Sequence, residues 1–177
     1  MNKGLYIHNI EHAEFLAFAH SLCAHKDQPM LALRLAKMYE KGAPFFAQPD
    51  WEKALYYHQQ AILGGVYESY YHLARWYCGG LGPFKKDPKR AKSLLHDGAE
   101  HNDAHCHYLL GLWYDQGWFG EDKEPIRAAS AFESAAALGC AEGWRELARC
   151  YVIGQPYFRK ADLEQAMRCR YYYKAGS

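Results

Sequence analysis

The sequence predicts an all-α solenoid of stacked helix pairs, and four series of recurring residues carry that prediction. A tyrosine returns at steps of 38, 37 and 37 residues, at Tyr39, Tyr77, Tyr114 and Tyr151. The same steps separate a later glycine, at Gly42, Gly80, Gly117 and Gly154, and an earlier leucine, at Leu35, Leu73, Leu110 and Leu147. A small residue precedes each tyrosine by three, at Ala36, Ala74, Gly111 and Ala148. A period in the thirties with helical content is typical of repeats that hold partners rather than turn over substrates.

Composition is consistent with one repeat domain over 1–177. The chain has 177 residues, enough to bury a sizeable core. Its 21 Lys and Arg nearly balance its 20 Asp and Glu, giving a net charge of +1. This balance gives no electrostatic reason to expect nucleic acid or an anionic membrane surface as a partner. An aromatic content of 16% favours an ordered chain.

The N-terminal stretch does not have the pattern of a secretory signal. Its apolar positions are interrupted by His8, Glu11, His12 and Glu14, whereas a signal needs an unbroken apolar stretch and a small-residue cleavage site. No run of about 18 apolar residues predicts a membrane span. We therefore expect a cytoplasmic protein without membrane insertion, or a periplasmic one if a signal has been removed.

The first predicted element is a helix at 10–26 that caps the N-terminal face of the stack. Four helix pairs follow, near 29–65, 66–102, 103–139 and 140–177. Within the first helix of each pair, the recurring tyrosine and the residues eight, four and three before it fall in a narrow arc at 100° per residue. Roughly nine helices and no strands are expected.

The loop and the second helix of each pair carry their own signals. The recurring glycine ends the first helix, and we expect one loop aromatic per repeat to fill the gap between the helices, at Phe46, Phe84, Phe119 and Phe158. An acid opens the second helix, at Asp50, Asp87, Glu124 and Asp162, with Pro88 and Pro125 directly after two of them. Small residues then form a seam with the first helix, at Ala54, Ala91, Ala128, Ala166, Ala61, Gly98 and Ala135. In the last repeat Tyr173 takes a seam position, as expected of a terminal repeat or of a surface that meets something else.

These motifs resemble a known family. The pattern L-A/G-x-x-Y-x-x-G, a loop, D-x-x-x-A, and then A and G is similar to the Sel1-like repeat, a relative of the tetratricopeptide repeat. The resemblance covers about 29–177 and is closest in LARWYCGGLGPFKKDPKRAKSLLHDGAEHN and LLGLWYDQGWFGEDKEPIRAASAFESAAALG. It implies a right-handed α/α superhelix that acts as an adaptor, scaffold or chaperone-like binding protein, commonly in bacterial signalling, secretion or envelope-related assemblies.

A partner-binding surface is predicted on the first helices, opposite the seam. The predicted concave groove would present Arg34, Lys37, Tyr71, His72, Arg75, Trp76, His105, Tyr108, Leu112, Trp113, Arg145 and Arg149. Tyr, Trp and Arg are the residue types enriched at interface hot spots. The partner would be a protein or peptide with apolar anchors and an acidic flank. For the two tryptophans, packing between neighbouring repeats is an equal alternative.

Chemistry offers weaker hypotheses. His96, His101, His105, Cys106 and His107 form the densest set of potential metal ligands, but the repeat frame separates His101 and His105 onto different helices. No nucleophile elbow or phosphate-binding loop is present, so we expect neither an enzyme nor a cofactor. The six cysteines contain no C-x-x-C pair and are expected to be reduced, mostly buried thiols. A hydrolytic or metal-dependent enzyme at the His-rich centre, and self-assembly through the helix at 163–175, remain as alternatives; we expect a monomer or weak homo-oligomer.

Overall fold

The structure, a computed structural model, describes residues 29–42, 48–154, 156–158 and 160–176. Within these ranges the chain forms eight α-helices and one 3-10 turn, with no strand. The helices are α1 (Pro29–Lys41), α2 (Trp51–Leu63), α3 (Glu68–Gly79), α4 (Pro88–Glu100), α5 (Ala104–Gln116), α6 (Pro125–Ala137), α7 (Ala141–Ile153) and α8 (Leu163–Gly176), with the 3-10 turn at Trp118–Gly120. The expected capping helix at 10–26 and the loop residue Phe46 lie outside the described residues.

The chain divides into two compact units, Met1–Ser69 and Tyr70–Ser177. The first contains α1, α2 and the first residues of α3, and the second contains the rest of α3 together with α4 to α8. No helix in the described ranges is both long enough and apolar enough to cross a lipid bilayer.

Each described helix pair is closed by the same backbone hydrogen bond. The N–H of the recurring acid donates to the carbonyl of the recurring tyrosine, at 2.9 Å for Asp50–Tyr39, 3.0 Å for Asp87–Tyr77, 2.8 Å for Glu124–Tyr114 and 2.9 Å for Asp162–Tyr151. The last carbonyls of a helix have no partner within that helix, so this bond satisfies one of them. The fixed spacing of tyrosine and acid in the sequence therefore reflects a repeated closure of the pair.

The starts of the second helices largely confirm the sequence prediction. The carboxylates of Asp50, Asp87 and Asp162 accept a hydrogen bond from the N–H three residues later, at 3.0 Å in all three cases. Glu124 makes no such bond. Its longer side chain pairs instead with Arg127, at 2.8 Å. The acid therefore opens the second helix in all four repeats, as predicted, and its side chain caps the helix in the three repeats that have aspartate.

Helix ends also follow the sequence pattern. The glycines after the first helices have positive φ angles, at Gly42 (69°), Gly80 (66°), Gly117 (64°) and Gly154 (73°). Residues after the second helices do the same, at Gly65 (87°), Asn102 (59°) and Gly139 (93°). Glycine and asparagine tolerate this left-handed backbone, which ends a helix and turns the chain.

Both units bury the recurring apolar residues. In the first unit Leu35, Ala36 and Tyr39 of α1 are buried with Ala54 and Ala61 of α2. The rings of Tyr39 and Tyr57 stack with centroids 5.7 Å apart. In the second unit the core is continuous through α3 to α8 and includes Ala74, Leu95, Leu110, Tyr114, Phe132, Leu147 and Cys169. These burials fix which faces of the first helices remain accessible.

The loop aromatics fill the helix pairs as predicted at two positions. Phe84 stacks on Trp76 with centroids 5.0 Å apart, and Phe158 stacks on Tyr151 at 4.3 Å. Phe119 differs, because it lies in the 3-10 turn with a positive φ of 57° and is 44% exposed. The centroid of its ring lies 5.1 Å from that of Trp113, and the ring of Trp118 also lies against Trp113, at 5.8 Å.

Candidate functional site

Three first helices of the second unit, α3, α5 and α7, present most of the predicted binding residues. We name these side chains the first-helix surface: Tyr71, Arg75, His105, Tyr108, Leu112, Arg145 and Arg149. Arg75, His105 and Arg145 are exposed, and the other four are half-buried. Half-buried aromatics beside arginines are typical of surfaces that bind another protein.

Tyr71 is the centre of an aromatic and cationic cluster. Its ring centroid lies 5.2 Å from that of His105 on the next first helix. The guanidinium of Arg75, one turn along α3, lies 5.5 Å from the centre of the same ring. Burial raises the pKa of Tyr71 above its usual value, so the phenol stays neutral and can donate or accept a hydrogen bond.

Tyr108 links α5 to α7. The guanidinium of Arg145 lies within 3.4 Å of the Tyr108 hydroxyl, to which it donates. Arg145 also pairs with Glu146 at 3.1 Å. Burial raises the pKa of Tyr108 as well. The Tyr108 phenol is therefore neutral, half-buried and held by a hydrogen bond from Arg145.

Arg149 belongs to a polar network that the sequence did not reveal. It pairs with Asp115 at 2.8 Å and with Glu146 at 2.9 Å, and it donates to the Tyr157 hydroxyl at 3.0 Å. Tyr157 in turn donates to Asp115. Burial acts to lower the pKa of Arg149, but these bonds outweigh it and raise that pKa above its usual value. The opposite charges of Asp115 and Arg149, one repeat apart, were the signal available in the sequence.

The charges of the first-helix surface are thus mostly compensated. Arg145 and Arg149 are both paired with Glu146, and Arg149 also with Asp115. Arg75 forms no ion pair within the part of the chain that the structure describes; its contact is the ring of Tyr71. On this surface, Arg75 is therefore the arginine that an acidic group of the partner is expected to meet.

The structure corrects the placement of the two tryptophans. Trp76 and Trp113 are buried, at 0% and 1% exposure, and cannot line an open surface. Each packs against the loop of its own repeat, Trp76 on Phe84 and Trp113 on Phe119, and Trp113 donates to Glu121 at 3.0 Å. The position before the recurring tyrosine therefore faces the loop aromatic rather than a partner.

Other predicted positions separate by burial. His72 is half-buried on α3. In the first unit Arg34 is exposed, while Lys37 is half-buried and pairs with Glu68 at 2.6 Å. Leu33 has the same repeat position as Tyr71, and Leu109 the same as His72, but both are buried, at 2% and 8% exposure.

The His-rich centre does not converge. The Nδ1 atom of His101 lies 2.8 Å from the carbonyl oxygen of Asp97 at the end of α4, whereas His105 lies in α5 against Tyr71. Cys106 is buried, and His96 lies against the Tyr114 hydroxyl at 3.4 Å. Over the described ranges, no three ligands of the set His96, His101, His105, Cys106 and His107 come together as a metal site would need.

The thiols lie mainly in the core. Among the described residues Cys78 is half-buried, Cys106, Cys140, Cys150 and Cys169 are buried, and none of these five is in a disulfide; Cys23 lies outside those residues. Burial raises the pKa of Cys140 to about 11 and that of Cys150 to about 12. The pKa of Cys106 is raised further by the same cause. Because the thiolate is the nucleophile, these groups are poorly suited to covalent catalysis.

We expect Cys150 in the native protein to react with iodoacetamide at pH 8.5 at least about a hundredfold more slowly than in urea, because its thiolate is scarce and its side chain is buried. Mass spectrometry of labelled peptides measures this, with half-buried Cys78 as the faster internal comparison. The native state binds the Cys150 proton more tightly than the unfolded chain does. The contribution of this difference to the free energy of unfolding should therefore be fully present below about pH 9 and be lost as the pH rises toward the native pKa of about 12. Equal native and unfolded labelling rates at Cys150 would contradict the burial.

The helix pairs and the half-buried aromatic surface define an all-α helical-repeat protein. A family model for the Sel1 repeat matches residues 29–66, 68–103, 104–140 and 145–177. The chain therefore belongs to the Sel1 repeat family.

Similar proteins agree on the fold. A solved Sel1 repeat protein from Oxalobacter formigenes matches with a TM-score of 0.72 and 22% identity, over 84% of this chain and 58% of that one. A protective antigen present in uropathogenic Escherichia coli strains, with the same repeat fold, matches with a TM-score of 0.67 and 22% identity, over 86% of this chain and 32% of that one. These likenesses confirm an all-α solenoid fold.

A curated relative carries a regulatory name. Chitin synthase regulatory factor 2 of Schizosaccharomyces pombe is 27% identical over 143 residues, which is 77% of this chain. The chain spans 28% of the length of that relative. Sel1 repeats generally mediate protein–protein interaction.

Proposed function

We propose that this chain is a non-enzymatic interaction module that holds a peptide, helix or folded partner on the first-helix surface. The observation that carries the proposal is the cluster around Tyr71, whose ring lies 5.2 Å from that of His105 on the next first helix and 5.5 Å from the guanidinium of Arg75 on its own helix. Tyrosine and arginine bury much area at modest cost in side-chain entropy, so such clusters dominate binding energy.

The chemistry of the surface supports a partner with an apolar or aromatic anchor. Tyr71, Tyr108 and Leu112 are half-buried and supply apolar area. The pairing of Arg145 with Glu146 holds the neighbouring guanidinium in place. A carboxylate of the partner would meet Arg75, whose charge has no acidic partner among the described residues.

The wider role we propose is that of an adaptor, scaffold or chaperone-like protein. The regulatory name of the yeast relative supports an accessory role rather than a catalytic one. A bacterial origin and a cytoplasmic location are part of this proposal. Bacterial Sel1 structures support the first, and the unpaired thiols support the second because disulfides are rare in reducing compartments.

Affinity capture tests the proposal with a variant of the surface. We expect Tyr71→Ala/Arg75→Ala/Tyr108→Ala to reduce recovery of the partner from an extract of the source organism by about tenfold or more, because each substitution removes a hot-spot residue type. Quantitative mass spectrometry of the bound fraction is the measurement, and circular dichroism verifies that the variant is folded.

A matched triple variant on the second helices serves as the control. Lys89, Ile126 and Ser130 are exposed on α4 and α6, so Lys89→Ala/Ile126→Ala/Ser130→Ala should recover the partner as the wild type does. Equal recovery by the folded first-helix variant would show that the partner binds elsewhere.

Self-assembly through α8 is the second candidate function. This helix exposes Leu163 (65%), Met167 (68%), Tyr171 (70%) and Tyr172 (51%). Four large apolar side chains on one short helix favour contact with another surface. Light scattering at rising concentration measures it, and a mass that stays monomeric at high concentration would remove this candidate.

A further inference from the structure

An apolar pocket of about 440 Å³ lies between α7 and α8. Its apolar lining comes from Ala148, Val152, Ile153 and the ring of Tyr173. Val152 and Ile153 are 52% and 47% exposed, so the apolar area is open to solvent rather than part of the core. A pocket of this size accommodates one or two large side chains of a ligand.

The remaining lining of the pocket is cationic. It comes from Arg145, Arg149, Arg170 and Lys174, and none of the described residues that line the pocket is acidic. Arg145 and Arg149 are paired with Glu146, and Arg149 also with Asp115, neither of which lines the pocket. Arg170 is exposed and forms no ion pair within the described ranges. A ligand that brings carboxylates would therefore complement the pocket rim.

In the second and third repeats, the surface that corresponds to this pocket is covered by the first helix of the next repeat. At the seam position of Tyr173 the second and third repeats have Gly98 and Ala135. A Cβ atom on Gly98 would lie 2.3 Å from Sγ of Cys106, and one on Gly143 would lie 2.9 Å from Cβ of Ala135. The next first helix therefore packs directly on those small residues.

The fourth repeat does not have the small and apolar residues on which the next first helix packs in the second and third repeats. Tyr173 places a large ring where Gly98 and Ala135 leave room for a helix. Arg170 stands where the second and third repeats have Leu95 and Phe132, both at 0% exposure. A helix packed here as α5 packs on Gly98 would meet the Tyr173 ring and the Arg170 guanidinium, so this surface differs in shape and charge from those that α5 and α7 cover.

We propose that the pocket between α7 and α8 binds a partner's peptide segment in which a large apolar side chain is flanked by carboxylates. The apolar side chain enters between Val152, Ile153 and Tyr173, and the carboxylates meet Arg170 and Lys174. This inference rests on the proposed function in that the ligand belongs to a protein. It adds a site whose α8 residues lie outside the first-helix surface.

A peptide library tests the proposal with the full chain. A displayed library of random 12-residue peptides is selected against the wild type, and the best sequence is synthesised with a fluorescent label. We expect enriched sequences with a large apolar residue next to two or more Asp or Glu. Selection of sequences without acids, or of none at all, would overturn the proposal.

Variants then locate the bound peptide by fluorescence polarisation. Arg170→Glu/Lys174→Glu should weaken binding about tenfold or more, because two attractions become repulsions. Replacing the peptide's Asp and Glu by their amides should have a similar effect. Arg168→Glu is the matched control, since Arg168 lies on the same helix but pairs with Glu164 outside the pocket. If the double reversal disturbs folding, Arg170→Gln/Lys174→Gln should still weaken binding severalfold.

The outcomes separate this proposal from the proposed function. Unchanged peptide binding by the folded α8 variants overturns the pocket proposal, whatever the first-helix variant does. Loss of peptide in the α8 variants, with full recovery of the partner by Tyr71→Ala/Arg75→Ala/Tyr108→Ala, supports the pocket and removes the first-helix surface. A concentration-dependent dimer that α8 reversal dissociates, without peptide binding, would assign the pocket to a second copy and overturn the proposal.

Discussion

Replacing Phe132 by alanine is expected to lower the free energy of unfolding by about 3–5 kcal/mol. The ring is fully buried in the core of the second unit. It lies so close to α5 that a Cβ atom on Gly111 would be 2.4 Å from its Cε1 atom. Removing the ring leaves a cavity between two helices whose backbones cannot collapse into it. Urea unfolding followed by circular dichroism measures the loss.

Ile126→Ala is the control on the same helix. Its side chain is 72% exposed, so we expect a change within about 0.5 kcal/mol. A loss of less than about 1 kcal/mol for Phe132→Ala would mean that the ring is not packed as described. Such a result would also remove the reason for glycine at position 111.

Gly143→Ala is expected to lower the free energy of unfolding by about 1–3 kcal/mol, although alanine is the better helix former. A Cβ atom at this position would lie 2.8 Å from the backbone nitrogen of Ala136 and 2.9 Å from Cβ of Ala135. Backbone atoms cannot move aside as the end of a flexible side chain can. The substitution therefore pushes α6 and α7 apart, and urea unfolding reports the consequence.

The intrinsic preference of a helix for alanine is measured separately at Ala137. This residue is exposed and is the last of α6, where glycine costs less than in a helix interior, so Ala137→Gly should lower the free energy of unfolding by less than about 1 kcal/mol. If Gly143→Ala stabilised the protein by a similar amount, the close approach of α6 and α7 would be wrong.

The helix pairs could be predicted from the sequence because the ends of their helices require particular residue types. The recurring glycines have a left-handed backbone, and the recurring aspartates cap the second helices with bonds of 3.0 Å. Each requirement leaves the same residue type at the same spacing. The fold class followed from these local demands without any knowledge of contacts between repeats.

The candidate surface was harder to predict, because burial depends on neighbours beyond a single helix. A projection of α3 or α5 alone places Trp76 and Trp113 beside the surface, yet the loop aromatics Phe84 and Phe119 cover them. Leu109 has the same repeat position as His72 but packs into the core. The network of Arg149, Asp115 and Tyr157 joins three segments whose relative phase no single-helix pattern contains.

The bond between the recurring tyrosine carbonyl and the recurring acid N–H has a consequence for how such chains diversify. The acid follows the glycine by eight residues in the first and fourth repeats and by seven in the second and third. The same bond forms in all four, at 2.8–3.0 Å. Loop length can therefore change while both helix ends keep their attachment, since lengthening a surface loop has a small entropic penalty. These loops are natural entry points for inserted sequence, whether acquired in evolution or added as an epitope for engineering.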